Sequence, residues 1–462
     1  MSSPQLDARI REAVADPVLA RNVVRATDTS SAHRRTVVAE RPDWEALRAR
    51  AGTLRAHVLT HLDTYLESFA ANARARGAEV HAALDAEEAR RIVLDLVRSR
   101  DCRRILKSKS MTTEEIELNP ALEAQGFHPL ETDLGEYIVQ LAGEPPSHIT
   151  APALHRSAEQ IRDLFQAEGV LAGRGAPPAD REGLATWLSL QAREHLRPRL
   201  LDADLGITGA NFLVAETGTV VLVENEGNIR YTTTTPRLQI AVVGIEKVIP
   251  RLQDLATLLP LLTRSATGQR ATTYTSLISG PLEELHVILL DAGRSALLRS
   301  EADRDLLRCI RCGACMNVCP VYRTVGGHAY GSPYPGPIGA LVTPLLRGEP
   351  EDRELPFLSS LCAACTEVCP VGIQLHGHLL GQRARAKHRG WVERTGFRLW
   401  RWVMASPRRY RLATRIARGL QPLLPRTGLL AAWTRHREAP VIARRSFRDL
   451  WSRHGPPARP AP

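Results

Sequence analysis

Seven of the eight cysteines in this 462-residue chain lie between residues 309 and 369, in two runs. The first is Cys309-Ile-Arg-Cys312-Gly-Ala-Cys315-Met-Asn-Val-Cys319-Pro320, and the second is Cys362-Ala-Ala-Cys365-Thr-Glu-Val-Cys369-Pro370. A four-iron cube needs four converging thiolates. Three come from a loop wrapped around it at three-residue spacing, and the fourth cysteine of such a run, followed by proline, serves a neighbouring cube. The first run matches that pattern in full. A zinc site would pair its ligands as C-x2-C separated by a dozen or more residues, which neither run does.

Counting ligands separates the two sites. Aligned on one template, Cys362, Cys365 and Cys369 take the second, third and fourth places, and Ser359 stands where the first cysteine would be. With the fourth cysteines exchanged, one cluster takes Cys309, Cys312, Cys315 and Cys369. The other takes Cys319, Cys362 and Cys365 and is one thiolate short. It is then either a 3Fe–4S cluster or a 4Fe–4S cluster with a non-cysteine ligand, for which Ser359, water and a partner's group are candidates. The 42 residues between Cys319 and Cys362 exceed what a hairpin needs. They carry Gly326-Gly-His-Ala-Tyr-Gly331 and Pro333-Tyr-Pro-Gly-Pro337 ahead of a helical stretch at 338–346. An ordered insert across the cluster face is expected, in a helical ferredoxin-type domain. Two adjacent clusters are most simply an electron wire.

The remaining composition agrees with a folded protein of several domains: 44% hydrophobic and 24% charged residues. No apolar stretch approaches the ~18 residues of a membrane helix. The first 35 residues lack the apolar run of a secretory signal, so a cytoplasmic location is expected, where cysteines are kept for metals rather than disulfides. Charge is uneven. Residues 391–462 hold 16 Arg against 3 acidic side chains, so the preceding 390 are close to neutral. With 57 Arg and only four Lys, basicity is weak evidence for nucleic acid, and no nucleic-acid partner is expected. Trp391, Phe397, Trp400 and Trp402 among Arg394, Arg398 and Arg401 suit a docking surface for a partner subunit; a peripheral membrane contact stays open.

Four segments follow along the chain: a helical segment 1–45, an α/β domain 46–295, the cysteine domain 296–390 and the basic tail 391–462. Helix is expected through 1–35, interrupted by Pro4, Pro17 and the polar stretch 27–31, and again as one long helix over 43–77. Strand 78–83, a helix capped by Asp85 with Glu88, and a strand from Arg104 form an α/β layer. Helices are expected at 153–168, 182–199 and 252–264, strands at 210–216, 219–224, 238–245 and 286–291, and a helix at 296–308. Lys107-Ser-Lys-Ser110 ends a strand, where α/β proteins often bind anions. Thr217-Gly-Thr219 reads as a hairpin turn or as part of a ligand pocket. His286, His328, His376 and His378 are more readily ordinary histidines than ligands, and Cys102 a buried apolar residue. No G-x-G-x-x-G, phosphate-loop, zinc-protease or nucleophile-elbow motif is present, and no catalytic residues can be assigned.

Lys107-Ser-Lys-Ser-Met111, Glu131-Thr-Asp-Leu-Gly-Glu-Tyr137, Gly206-Ile-Thr-Gly-Ala-Asn211, Ala215-Glu-Thr-Gly-Thr219, Asp291-Ala-Gly-Arg294 and both cysteine runs together resemble the lactate utilization protein B family, over almost the whole chain. The resemblance implies an α/β LUD domain at about 46–295, similar to the sugar-phosphate isomerase and CoA transferase-like fold. Behind it comes the two-cluster domain, both clusters 4Fe–4S, which favours a non-cysteine ligand on the second. It implies that the chain transfers electrons while a complex with companions resembling lactate utilization proteins A and C oxidises L-lactate to pyruvate. The terminal acceptor stays unassigned. The competing reading makes the LUD domain itself a transferase- or isomerase-like enzyme, with structural or regulatory clusters. The absence of a convincing acid/base pair favours the first.

Overall fold

The computed structural model describes residues 4–386, 391–421, 441–443 and 445–455. Its strands are β1 (Glu79–Ala83), β2 (Ile105–Lys107), β3 (Leu130–Glu131), β4 (Leu205–Thr208), β5 (Phe212–Val214), β6 (Thr219–Glu224), β7 (Leu238–Gly244), β8 (Val248–Ile249), β9 (Tyr274–Ile278) and β10 (Glu284–Leu290). Six form an all-parallel sheet in the order β1-β10-β7-β4-β2-β3; the other four form a smaller sheet, β8-β5-β6-β9.

Strands buried on both faces explain the unbroken apolar runs. On β10, Val287 and Leu289 pack into one core with Phe69 and Ala73. Ile288 and Leu290 point the other way, into a core with Val93 and Val97 of helix Ala86–Ser99. The same two-residue alternation makes the small sheet a middle layer. Leu213, Val220 and Leu222 face the core under the helices 44–60 and 62–75. Phe212, Val214 and Val221 face the core built around the cysteines. The cysteine domain is therefore packed against the α/β domain across the small sheet.

The N-terminal helices Pro4–Ala15 and Pro17–Ala39 join that same core through Leu6, Ala13 and Val23. Pro17 does separate them, at the first position of a helix capped by Asp16. Thr27–Ser31, however, does not interrupt the second helix. Thr27 is buried and its hydroxyl donates to the Val23 carbonyl, 2.7 Å, so its polarity is satisfied inside the helix.

Other element expectations also shift. The long helix over 43–77 is two, Trp44–Thr60 and Leu62–Ala75, broken at His61. The helix at 153–168 begins only at Ala158, where Ser157 and Gln160 form a capping box. The helix at 296–308 is Arg294–Arg299 followed by a 3-10 turn at Arg304–Arg308. β3, β4, β8 and β9 are additional; three of them have four residues or fewer, too short for a periodic signal. No helix among the described residues is long and apolar enough to cross a membrane.

Residues 1–385 form one compact unit and 386–462 a second. Within the second, helices Trp391–Met404 and Pro407–Leu420 leave Trp391, Trp400 and Trp402 exposed. The remainder of the basic tail lies partly outside the described residues.

The cysteine loops and an adjoining cavity as the candidate site

None of the eight cysteines is in a disulfide. Cys309, Cys312, Cys315 and Cys369 line one small apolar cavity with Ile310, Ile338, Ile373 and Leu375. Backbone N–H groups converge on the sulfurs. Arg311 donates to Cys309 Sγ at 3.4 Å, Ile373 to Cys369 Sγ at 3.3 Å, and Ile338 to Cys315. Ile338 lies in helix Gly336–Leu346 of the insert, so this helix borders the cavity. Burial pushes the Cys312 thiol up to about 12, with Cys309 adding to it, and raises Cys315 and Cys369 as well. Four soft donors, dry walls and amides aimed at the sulfurs suit a group that supplies its own positive charge, as iron does.

The second set differs in exposure. Cys319 and Cys365 are buried, whereas Cys362 is exposed. Cys365 is pushed up to about 11 by burial and by its neighbours Cys319 and Cys362. The Ser360 hydroxyl and the Ala364 amide lower the Cys362 thiol. The two sets adjoin, since Cys315 also feels Cys365.

The loops share one backbone design. Arg311 (φ 58°) and Gly313 (φ 77°) flank Cys312 in the left-handed region, and Leu361 (φ 58°) and Ala363 (φ 67°) flank Cys362 in the same way. In the first loop the Arg311 amide donates to Cys309 Sγ; in the second the Leu361 amide donates to Ser359 Oγ at 3.1 Å. The serine hydroxyl thus occupies the place, relative to its loop, that the Cys309 thiol holds in the other. The four histidines have partners elsewhere: His286 with Glu284, His328 with the Pro145 carbonyl, His376 with Thr366 and His378 near Asp303. Cys102 is buried away from both sets.

Beside the first loop a buried charge network joins the two domains. Arg294 bonds Glu246 at 2.6 Å and Glu115 at 2.8 Å through both terminal nitrogens. The Tyr334 hydroxyl donates to Glu115, 2.7 Å, and the Arg311 guanidinium lies 4.5 Å above the Tyr334 ring and 3.6 Å from Glu246. Burial opposes charge on Glu246, but Arg294, Arg311 and Lys247 outweigh it and hold the carboxyl at about 2. The anion expectation for Lys107-Ser-Lys-Ser110 needs a correction. Lys107 is fully buried and ion-paired to Glu114 and Glu131, leaving no charge for a ligand. Lys109 and Ser110 instead line a cavity of about 260 Å³ that Lys247, Arg311 and Tyr334 also border. Sequence reasoning missed the last three, because nothing in their local pattern distinguishes them. Thr217–Thr219 is the turn of the β5–β6 hairpin, with Gly218 at φ 63°, and takes no part in this cavity.

Comparison with known proteins is consistent along the whole chain. Residues 66–290 match the LUD domain, 305–373 a 4Fe-4S dicluster domain and 373–456 the lactate utilisation protein B C-terminal domain. Lactate utilization protein B of Shouchella clausii is 42% identical over 97% of both chains. That of Geobacillus kaustophilus is 42% identical over 96% of this chain and 95% of its own. The uncharacterized electron transport protein YkgF of Escherichia coli is 39% identical over 98% of this chain and 97% of its own.

Proposed function

This chain belongs to the lactate utilization protein B family, and from that premise we propose that it is the electron-transfer subunit of an assembly oxidising L-lactate to pyruvate. The observation that carries the reading is the arrangement of its thiols: a set buried at three of its four members beside a polar cavity, adjoining a second set that reaches the surface at Cys362. Oxidation of a 2-hydroxy acid to the 2-oxo acid releases two electrons and two protons. Two four-iron clusters, each a one-electron carrier, together match that pair. Support comes also from the relative named as an electron transport protein.

In this reading Cys309, Cys312, Cys315 and Cys369 hold the inner cluster, and Cys319, Cys362 and Cys365 the outer one. Ser359 completes the outer set, supported by the matching amide bonds and left-handed residues in the two loops. The insert and the N-terminal helices keep water from the inner cluster, while the exposed edge at Cys362 leaves the outer one within reach of a docked acceptor. Companions resembling lactate utilization proteins A and C complete the assembly. The parallel sheet belongs, on this reading, to the sugar-phosphate isomerase and CoA transferase-like class.

The test is to purify the chain anaerobically with its companions, count iron and sulfide, and follow the clusters by EPR after adding L-lactate. Two clusters per chain, reduced by lactate only when the companions are present, are expected. Clusters that stay oxidised with lactate and both companions would refute the proposal.

A further inference from the structure

The cavity bordered by Lys109 and Ser110 lies where the parallel sheet reverses its winding. From β2 the chain moves outward to β3, whereas from β4 it moves the opposite way to β7. Open parallel sheets bind ligands in the crevice outside the carboxyl ends at such a reversal. Lys109 and Ser110 follow β2, Gly209 to Asn211 follow β4, and Lys247 lies just beyond β7. The roof is the first cysteine loop, through Arg311, and the insert, through Tyr334.

Its charges are unequally engaged. Each lining carboxylate already accepts backbone N–H groups: Asp133 from Glu136, Glu224 from Ile229 and Arg230, and Glu226 from Leu134. The cations are only partly engaged: Arg311 faces Glu246 at 3.6 Å through Nη2 and stacks on the Tyr334 ring. Nη1 of Arg311, a side chain only 7% exposed, is buried without a hydrogen-bond partner. Lys247 is buried, and among the described residues neither its ammonium nor that of Lys109 has a hydrogen-bond or ion-pair partner within contact distance. Buried cationic donors left open in a cavity call for an anion. Three carboxylates nearby make one negative charge more acceptable than two.

We propose that this cavity binds a small 2-hydroxy or 2-oxo monocarboxylate, its carboxylate held by Arg311, Lys247 and Lys109. The carboxylate follows from the open donors, Arg311 Nη1 and the two lysine ammoniums; the choice of a 2-substituted acid rests on the lactate-oxidation reading above. The space of about 260 Å³ accommodates a short acid together with bridging water. Arg311 also ties the site to the inner cysteine set, because its own amide donates to Cys309 Sγ. Occupancy is therefore felt at those sulfurs.

The test uses the full chain with its clusters, anaerobically, titrated with L-lactate, pyruvate, acetate and sulfate by calorimetry and by EPR of the reduced clusters. L-Lactate or pyruvate should bind saturably, at least tenfold tighter than acetate or sulfate, and change the signal of one cluster. Lys247→Met and Lys109→Met should each weaken binding at least tenfold with iron content unchanged, the loss expected of one charge-assisted contact. No saturable binding by a chain with full iron content would overturn the site, as would tenfold selectivity that survives both substitutions, or sulfate binding as tightly as pyruvate. The electron-transfer reading fails separately. Lactate-driven reduction with companions, without binding here, sinks the cavity alone; binding here without reduction sinks only the wire.

Discussion

At the scale of single residues, Ser359 and His148 make the sharpest claims. If Ser359 is the outer cluster's fourth ligand, Ser359→Ala should lose one iron per chain and show the oxidised-state EPR signal of a three-iron cluster. Ser359→Cys should keep four irons. Equal iron counts and spectra in the parent and Ser359→Ala would sink the assignment. His148 is a buried neutral base whose Nδ1 accepts from the Thr150 and Ala151 amides at 3.1 and 3.2 Å. Its Nε2 lies 3.2 Å from Asn317 Oδ1, between Cys315 and Cys319. Burial, with Lys109 nearby, lowers its pKa from 6.5 to about 3. The unfolded chain therefore takes up the proton first. Stability is full above about pH 6.5 and declines as pH falls toward 3, by about 1.4 kcal/mol per unit once below 6.5. Unfolding midpoints at pH 7.5 and 5.5 should differ by less in His148→Gln than in the parent; an unchanged difference would show that other groups carry the effect.

At the scale of elements, the two cysteine loops are one conformation made from different residues. Both need a left-handed residue just after the second-position cysteine. The first loop has Gly313 there and the second Ala363. An L-residue with a Cβ is about 1–2 kcal/mol less favourable in that region, partly offset by glycine's extra freedom in the unfolded chain. Ala363→Gly should thus raise the stability by about 0.5–1 kcal/mol with the clusters retained. Gly313→Ala should lower it, because the new Cβ would sit 3.2 Å from His148 Cε1 in addition to the strained φ. Thermal unfolding of the two cluster-loaded variants checks both signs. Elements also show why periodicity alone misplaced some boundaries. His61 and Ser300 end helices with no proline or glycine of their own, and Thr27 stays helical because burial of its hydroxyl against Val23 outweighs its turn-forming tendency.

At the scale of the whole molecule, the cysteine domain is stapled from distant parts of the chain. Arg34 donates to the Val368 carbonyl and Arg48 to the Cys369 carbonyl, while Asn22, on the same helix as Arg34, ties it to the His155 carbonyl of the α/β domain. The N-terminal helices share the apolar core of the cysteines. Removing iron with a chelator should therefore loosen residues 305–373 and helix Pro17–Ala39 together, while the parallel sheet keeps its protection. Hydrogen exchange with and without the clusters measures this; protection lost uniformly over the chain, or confined to the loops, would contradict it. What the sequence by itself determined is the local chemistry: the spacing of seven thiols, the serine in the eighth place, the strands buried on both faces and the capped helix after Asp85. These are legible because ligand spacing and apolar period are properties of neighbours in the chain. Only the tertiary structure decided that Lys107 is neutralised by Glu114 and Glu131 while Lys109, Lys247 and Nη1 of Arg311 keep open donors around one cavity. The pairing of Lys107 with partners 7 and 24 residues away, and the gathering of Lys109, Lys247 and Arg311 from across the chain, depend on the winding of the sheet and the docking of one domain on another, and no local pattern encodes that.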